Sequence, residues 1–360
     1  MSEFPTLKSI AKACGVSHVT VSRALRGQTN MRPETAARIR SYAEAVGYKT
    51  NSVARFLAEG RTHHIAFSAQ RSIMIPHNRE GREGSGPDRS HLIWDYIQGA
   101  TEAAASSSHS MELLGFHDAS QELQRIRGLV EEERVAGILD FGLQSRTIDY
   151  LVSRKIPMVS TIGPAHHIDP RRTAYVYSDH IMGLLQGWRY LVENRHTRIG
   201  FVGPKKSGPL HPRLGECRAA GQLLSSPLQL TSYAFIESGA SNASIWETFC
   251  ESFGKPKGGD WPTAIFCTND AVANRVITAM QEYGVAIPRD LSVLGFDDSA
   301  AASLCSPTLT TIADPRKEMG AAMLRILEDI IAGRPGSRSI IQVVPMKLVE
   351  RESVAPPKGA

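Results

Sequence analysis

The chain has 360 residues, 42% of them apolar, which is enough to bury more than one core and excludes a disordered tail protein. Its formal charge of +5 is unevenly placed: residues 1–61 carry ten Lys or Arg against four Asp or Glu, and the rest of the chain carries 31 against 32. A basic head on a neutral body is the pattern of a protein that meets a polyanion at one end.

Cys14, Cys217, Cys250, Cys267 and Cys305 are scattered and form no CxxC pair, so neither a disulfide framework nor a zinc site is expected. No run approaches the ~18 to 20 apolar residues of a membrane span, and residues 1–15 lack the apolar stretch of a secretion signal. The expectation is a cytoplasmic protein without a membrane partner.

In chain order, the first periodic segment puts Leu7, Ile10, Ala11 and Cys14 on one face of a helix, with Thr6 placed to cap it and Gly15 to break it. A second helix follows Ser17, another cap, through Val19, Val21, Ala24 and Leu25, and Gly27 stops it. Small Ala11 allows a close crossing, Gly15 permits the positive φ of the turn, and Val16 and Val21 pin the pair: this is helix-turn-helix spacing. A third helix begins at Pro33 and runs to Gly47. The outer face of the second helix carries Ser17, His18, Thr20, Ser22 and Arg23, donors suited to phosphates and to guanine in a major groove, and Val19 can rest on a thymine methyl.

From Ile65 the pattern changes to short apolar runs, including IAFSA, SMELLGF, VAGILDF, IPMVSTIG, AYVYSD, RIGFVG, TSYAFIE, TAIFCTND, SVLGFDD and SIIQVVPMKLV, each read as a strand. Amphipathic stretches such as 94–105, 121–132 and 271–283 lie between them. This alternation predicts parallel sheets with helices on both faces, and its length predicts two lobes. Ligands in such folds bind at the carboxyl ends of strands, so the cleft is expected just after RIGFVG, IFCT and VLGF.

The segments TLKSIAKACGVSHVTVSRALRG, RPETAARIRSYAEAVGY and NSVARFLAEG resemble the headpiece and hinge of the lac repressor (LacI/GalR) family, continuously over residues 5–60. The resemblance implies major-groove reading by His18, Val19 and Arg23, phosphate contacts from Thr6, Ser17, Thr20 and Ser22, and a loop with Arg26 and Asn30 beside the groove. Residues 51–58 resemble the hinge helix, with Asn51, Ala54, Leu57 and Ala58 toward DNA and Leu57 wedged into the minor groove. An eight-residue helix does not persist alone in water, so this one is expected to fold only beside its twin on DNA. Unstacking by the wedge costs a few kcal/mol, offset by the bent interface.

The stretch from TAIFCTND to RKEMG is similar to the family's effector-binding domain, which itself resembles periplasmic sugar-binding proteins. By that resemblance Arg218, Asn269, Asp270, Asp297 and Asp314 hold the effector, and His91, Trp94 and Tyr96 fall where the family's aromatic would be, with Trp94 placed to stack on the sugar ring. Carboxylates that accept from hydroxyls and a guanidinium fork suit a carbohydrate. Capping competes with ligand binding for Asp297 and Asp298, a turn before Pro315 for Asp314, an exposed salt bridge for Arg218 and core packing for Trp94. The chain departs from the family pattern at Ala136, at Gln222 and in the long charged loop over 71–90, either mobile or a lid.

The expected organisation is an all-α helix-turn-helix headpiece over 1–50, a hinge and linker over 51–61, and an α/β periplasmic-binding-protein-like body over 62–360. Its N-lobe is placed at about 62–177 and 314–340, and its C-lobe at about 178–313 and 341–354. The expected function is a transcriptional repressor that binds a pseudo-palindromic double-stranded DNA operator as a homodimer under a small-molecule effector, with activation as the alternative. A cytoplasmic solute-binding protein without a DNA role is the more distant one. No cofactor, metal or catalytic residue is expected: REGREGSG lacks the ending of a phosphate loop, His63-His64 and His166-His167 lack helical ligand spacing, and no nucleophile motif is present. The two prolines of VAPPKGA exclude a C-terminal coiled coil.

Overall fold

The computed structural model describes residues 5–25, 31–48, 64–70, 90–107, 109–116, 119–161, 169, 171–206, 208–224, 230–254, 256, 261–334 and 341–358. The chain divides into two units, Met1–Thr62 and His63–Ala360. The expected hinge helix, residues 71–89 of the charged loop, Arg26 and Asn30 lie outside the described residues, and Ser90 already begins a helix.

In the first unit α1 (Leu7–Cys14), α2 (His18–Leu25) and α3 (Pro33–Ala45) close on a core of Ile10, Ala11, Cys14, Val21, Ala24, Ala36, Ile39 and Ala43. Small side chains at half of these places let three short helices cross closely. Thr6 starts α1 through a capping box: the Ser9 N–H donates to Thr6 Oγ1 at 3.1 Å and the Thr6 N–H donates to Ser9 Oγ at 2.8 Å. Gly15, at φ 62°, ends it in the left-handed region, where a side chain would be strained, and the Val16 N–H returns to the Ala11 carbonyl. Ser17 then caps α2 by accepting from the Thr20 N–H at 3.1 Å. Arg38 of α3 donates to the Cys14 carbonyl at 3.1 Å, satisfying an end of α1 from across the unit.

The second unit holds two six-stranded sheets. The first lobe contains β1 (His64–Gln70), α4 (Ser90–Ala104), β2 (Ser110–Phe116), α5 (Ala119–Glu131), β3 (Gly137–Phe141), α6 (Ser145–Ser153), β4 (Met158–Ser160) and β5 (Thr173–Ser178). The chain then crosses to the second lobe, with α7 (His180–Glu193), β6 (Ile199–Pro204), α8 (Pro212–Gln222), β7 (Leu230–Ile236), α9 (Asn242–Phe253), β8 (Ala264–Cys267), α10 (Asp270–Glu282), β9 (Ser292–Asp297), α11 (Ala300–Leu304) and β10 (Thr310–Ala313). It returns to the first lobe for α12 (Arg316–Ala332) and β11 (Ile341–Val344), and crosses back for β12 (Lys347–Val349). The sheet orders are β11-β5-β4-β3-β1-β2 and β12-β10-β9-β8-β6-β7. Buried clusters flank both faces of each sheet, as the βα alternation requires.

Three expectations are corrected by this topology. The run SIIQVVPMKLV is two strands, because Pro345 cannot donate to a ladder and the chain changes sheet there. Residues 341–344 therefore pair with β5 in the first lobe and do not begin the C-lobe segment. The sheets are also not wholly parallel, since β12 runs antiparallel to β10, a strand absent from the runs read in the sequence.

Helices α4 and α12 meet at Gly99 and Gly320: a Cβ on Gly99 would strike the Lys317 carbonyl, and one on Gly320 the Tyr96 carbonyl. The absence of both side chains brings the N-terminal turns of the two helices together beside the crossings.

Candidate functional site

A cavity of about 570 Å³ opens where the carboxyl ends of the parallel strands of both lobes face each other. On the first lobe Tyr96 of α4, Thr161 after β4 and Tyr177 of β5 line it. On the second, His211 and Arg213 at the start of α8, Thr268 after β8 and Asp297 at the end of β9 do so. The crossings supply Asp179 and His180 on one side, Asp314 and Arg316 on the other.

Arg213 is placed by the first turn of α8, where Pro212 suits the opening position and the His211 ring accepts from the Arg213 N–H at 3.1 Å. Its guanidinium carbon lies 3.5 Å from the centre of the Phe296 ring, a close cation–π stack, and Nη1 lies 3.6 Å from Glu216. His180 Nδ1 is 3.2 Å from the same carboxylate. The His180 hydrogen bond, with help from Arg213, holds Glu216 below the usual carboxylate range despite its burial.

Arg316 is the first residue of α12 and is 4% exposed. A helix N-terminus opposes a cation, so this placement needs compensation. Three carboxylates provide it: Nε donates to Asp95 Oδ2 at 3.0 Å, and Nη1 lies 3.5 Å from Asp314 Oδ2 and 3.9 Å from Asp297 Oδ1. Burial works against the charge, and the carboxylates outweigh it, holding the guanidinium above its usual range. Nη2 donates to the Asp297 carbonyl at 2.7 Å. The backbone there is in the positive-φ region, with Asp297 at 109° and Asp298 at 52°, strained for non-glycine residues and held by Arg316 and by Arg351, which donates to Asp298 Oδ1 at 2.8 Å. Burial, followed by the charge of Asp314, pushes the Tyr96 hydroxyl far above its usual range.

Of the expected effector residues, Asp297 and Asp314 line the cavity. Asn269 instead caps α10, its side chain accepting from the Val272 N–H at 2.9 Å. Asp270 lies 1% exposed, accepting from Thr311 Oγ1 and the Ser299 N–H, in space left because Gly295 has no Cβ. Burial pushes its carboxyl up to about 7. Both residues shape the wall and are not among those that line the cavity.

Arg218 and Trp94 are corrected. Arg218 is exposed, its guanidinium 5.0 Å from the Tyr233 ring centre, because a residue five places from Arg213 on a helix faces away from it. Trp94 is 49% exposed, neither core nor cavity, while Asp95 holds Arg316 and Tyr96 lines the site. Tyr96, one of the candidates for the family's stacking aromatic, lines the cavity, and the residues missed from sequence are Arg213, Glu216, Thr268 and Arg316. Only Arg316 left a local signal, a cation directly after Asp-Pro at a helix start.

Among the described residues, no group of three His, Cys, Asp or Glu side chains is placed to hold a metal ion, and no helix is long and apolar enough to cross a membrane.

In the first unit, the face of α2 opposite buried Val21 and Ala24 presents His18, Val19 and Arg23 to solvent, with Val19 46% exposed. Ser17 and Thr6 are also exposed, and Thr20 and Ser22 are half-buried. The Ser17 and Thr20 hydroxyls bond each other at 2.8 Å, which orients both at the start of the helix. This face offers hydroxyls, a ring nitrogen, a guanidinium and one exposed aliphatic side chain within a single helix.

Residues 6–51 match the bacterial regulatory proteins of the lacI family, and residues 188–354 match a periplasmic binding protein-like domain. The chain is 26% identical over 364 residues to the HTH-type transcriptional repressor PurR of Proteus mirabilis (strain HI4320), covering 97% of each. It is 28% identical over 371 residues to the HTH-type transcriptional regulator DegA of Bacillus subtilis (strain 168), covering 98% of each. Its fold resembles that of the lac repressor dimer bound to operator and the anti-inducer ONPF, with a TM-score of 0.63 at 20% identity over 98% of this chain and 100% of that one. The transcriptional regulator CelR–cellobiose complex gives a TM-score of 0.60 at 23% identity over 97% and 99% of the two chains.

Proposed function

We propose that the chain belongs to the lacI family of bacterial regulatory proteins and is a DNA-binding transcriptional repressor whose hold on its operator is set by a small molecule in the interlobe cleft. The carrying observation is the match over residues 6–51 coinciding with the exposed polar face of α2 in a segment of strong positive charge. His18, Val19 and Arg23 read base edges in a major groove, and Thr6, Ser17, Thr20 and Ser22 engage phosphates. Arg26 and Asn30 border that groove, and Asn51, Ala54, Leu57 and Ala58 form the hinge contact. Two such heads reading a two-fold site require a homodimer, joined through residues 62–360. Such a repressor acts in the cytoplasm, where its operator is.

The effector in this reading is a carbohydrate. Asp297 and Asp314 accept from its hydroxyls, the Arg213 guanidinium donates to ring and hydroxyl oxygens, and Tyr96 and Tyr177 offer apolar faces. Control follows from linkage: the effector shifts operator occupancy only by binding one arrangement of the lobes more tightly than the other.

Selection from a pool of random duplexes with the full-length protein, at near-physiological salt, tests the DNA reading. The expected outcome is an enriched near-palindrome with a flexible central pyrimidine–purine step, lost in Arg23→Ala and Leu57→Ala. Recovery of no common sequence, with or without a panel of neutral sugars, would overturn it.

A further inference from the structure

The guanidinium of Arg316 faces three ways. Nε is committed to Asp95 on α4 of the first lobe, and Nη2 to the Asp297 carbonyl at the end of β9 in the second. Nη1 is buried without a hydrogen-bond partner, although Asp314 Oδ2 is 3.5 Å away. Two further buried atoms of the cavity share that condition: Asp314 Oδ1 and Thr268 Oγ1, the latter on a residue 3% exposed. A buried donor or acceptor left unpaired costs its full desolvation, so a donor, an acceptor and a hydroxyl on three residues that line one cavity define what completes them.

On the reading of the cleft as a carbohydrate site, we propose that Arg316 determines effector specificity: one effector hydroxyl accepts from Arg316 Nη1 and donates to Asp314 Oδ1, and a second bonds Thr268 Oγ1. Nη1 lies against the Asp314 carboxylate, so a single ligand oxygen reaches both. Of the groups a neutral sugar carries, only a hydroxyl serves there. An ether or carbonyl oxygen cannot donate, an ammonium cannot accept, and a carboxylate or phosphate brings negative charge against Asp297 and Asp314. The other two arms of the guanidinium grip opposite lobes, so the atom that reads the ligand belongs to the joint between them. Lysine does not substitute, since a single ammonium on a flexible stem cannot hold three directions at once.

The test titrates neutral pentoses and hexoses calorimetrically into the full-length protein, then repeats the titration of the tightest-binding sugar with each of its singly deoxygenated derivatives. The expected result is one position at which removal of the hydroxyl weakens binding about tenfold or more. Arg316→Met, Arg316→Lys and Asp314→Asn should bind the parent sugar more weakly and no longer distinguish it from that derivative. Asp314→Asn and Thr268→Val preserve side-chain volume and keep the test available if Arg316→Met does not fold. Sugar binding with the discrimination intact in the folded variants would overturn the role of Arg316 and leave the carbohydrate reading standing. Binding of no sugar by the parent protein would overturn both.

Discussion

In the headpiece the side chains assigned to base edges, His18, Val19 and Arg23, stand on the solvent face of one eight-residue helix, whereas in the body the side chains of the cleft come from both lobes and from the segments that cross between them. On α2 the reading groups do little for the fold, which Val21 and Ala24 hold from the opposite face. In the cleft, recognition and stability share atoms: Arg316 is at once a wall of the cavity and the tie between Asp95 and Asp297. The headpiece can therefore change what it reads without unfolding, while the cleft can change its ligand only by rebalancing buried charges.

The largest expected break in this comparison is Ile39→Ala. It removes a fully buried side chain from the small core of the first unit, costing about 2 to 5 kcal/mol. DNA binding should vanish while the sugar titration of the body stays as in the parent. Scanning calorimetry should show only the headpiece transition moving, and a parallel loss of sugar binding would show that the two units do not behave separately.

Asp270→Asn probes the charge buried behind the cleft. The folded carboxyl titrates near 7 and the unfolded one near 3.8, so the native state takes up the proton first as pH falls. Its contribution to stability is full below about pH 4 and is lost as pH rises through about 7. As pH falls across that interval the parent should gain about 2 to 4 kcal/mol relative to Asp270→Asn, read from urea midpoints at several pH values. His196 acts in the opposite sense: burial pushes its ring down to about 4, so the parent should lose stability relative to His196→Gln as pH falls from 6.5 toward 4.

Gly320→Ala should cost about 1 to 3 kcal/mol, because the new methyl meets the Tyr96 backbone and must push α12 from α4. Since that shift also moves Arg316 away from Asp95, sugar affinity should fall with the melting temperature of the body. Thr6→Ala is smaller, about 1 kcal/mol from the lost capping box, visible in the headpiece transition alone. Val19→Ala should change stability by less than about 0.5 kcal/mol and still alter the selected DNA sequence. A large stability loss there would mean that the reading face is not independent of the core.

The headpiece was legible because each of its devices is local. Thr6 and Ser17 cap the helices they immediately precede, Gly15 turns the chain where it stands, and the apolar spacing of Ile10, Cys14, Val21 and Ala24 reports one face. Most strands of the body were equally readable, since a buried parallel strand is a short apolar run between turn residues. The exceptions were β10, where Thr310 and Thr311 interrupt the apolar run, and the division of the final run between two sheets, because periodicity does not state which sheet a strand joins.

The sequence alone determined a basic helix-turn-helix head from local caps and spacing and an α/β body from the alternation of apolar runs and amphipathic stretches, and the family resemblance pointed to two of the cleft's acids, Asp297 and Asp314. Tertiary structure decided that Arg213 faces the cavity and Arg218 does not, that Asp270 is a buried support, and that Arg316 joins Asp95, more than two hundred residues earlier in the chain, to Asp297. These outcomes depend on the rotation of helices about their axes and on the close approach allowed by Gly99 and Gly320. They are distances between remote segments, which the order of residues within any one segment does not contain.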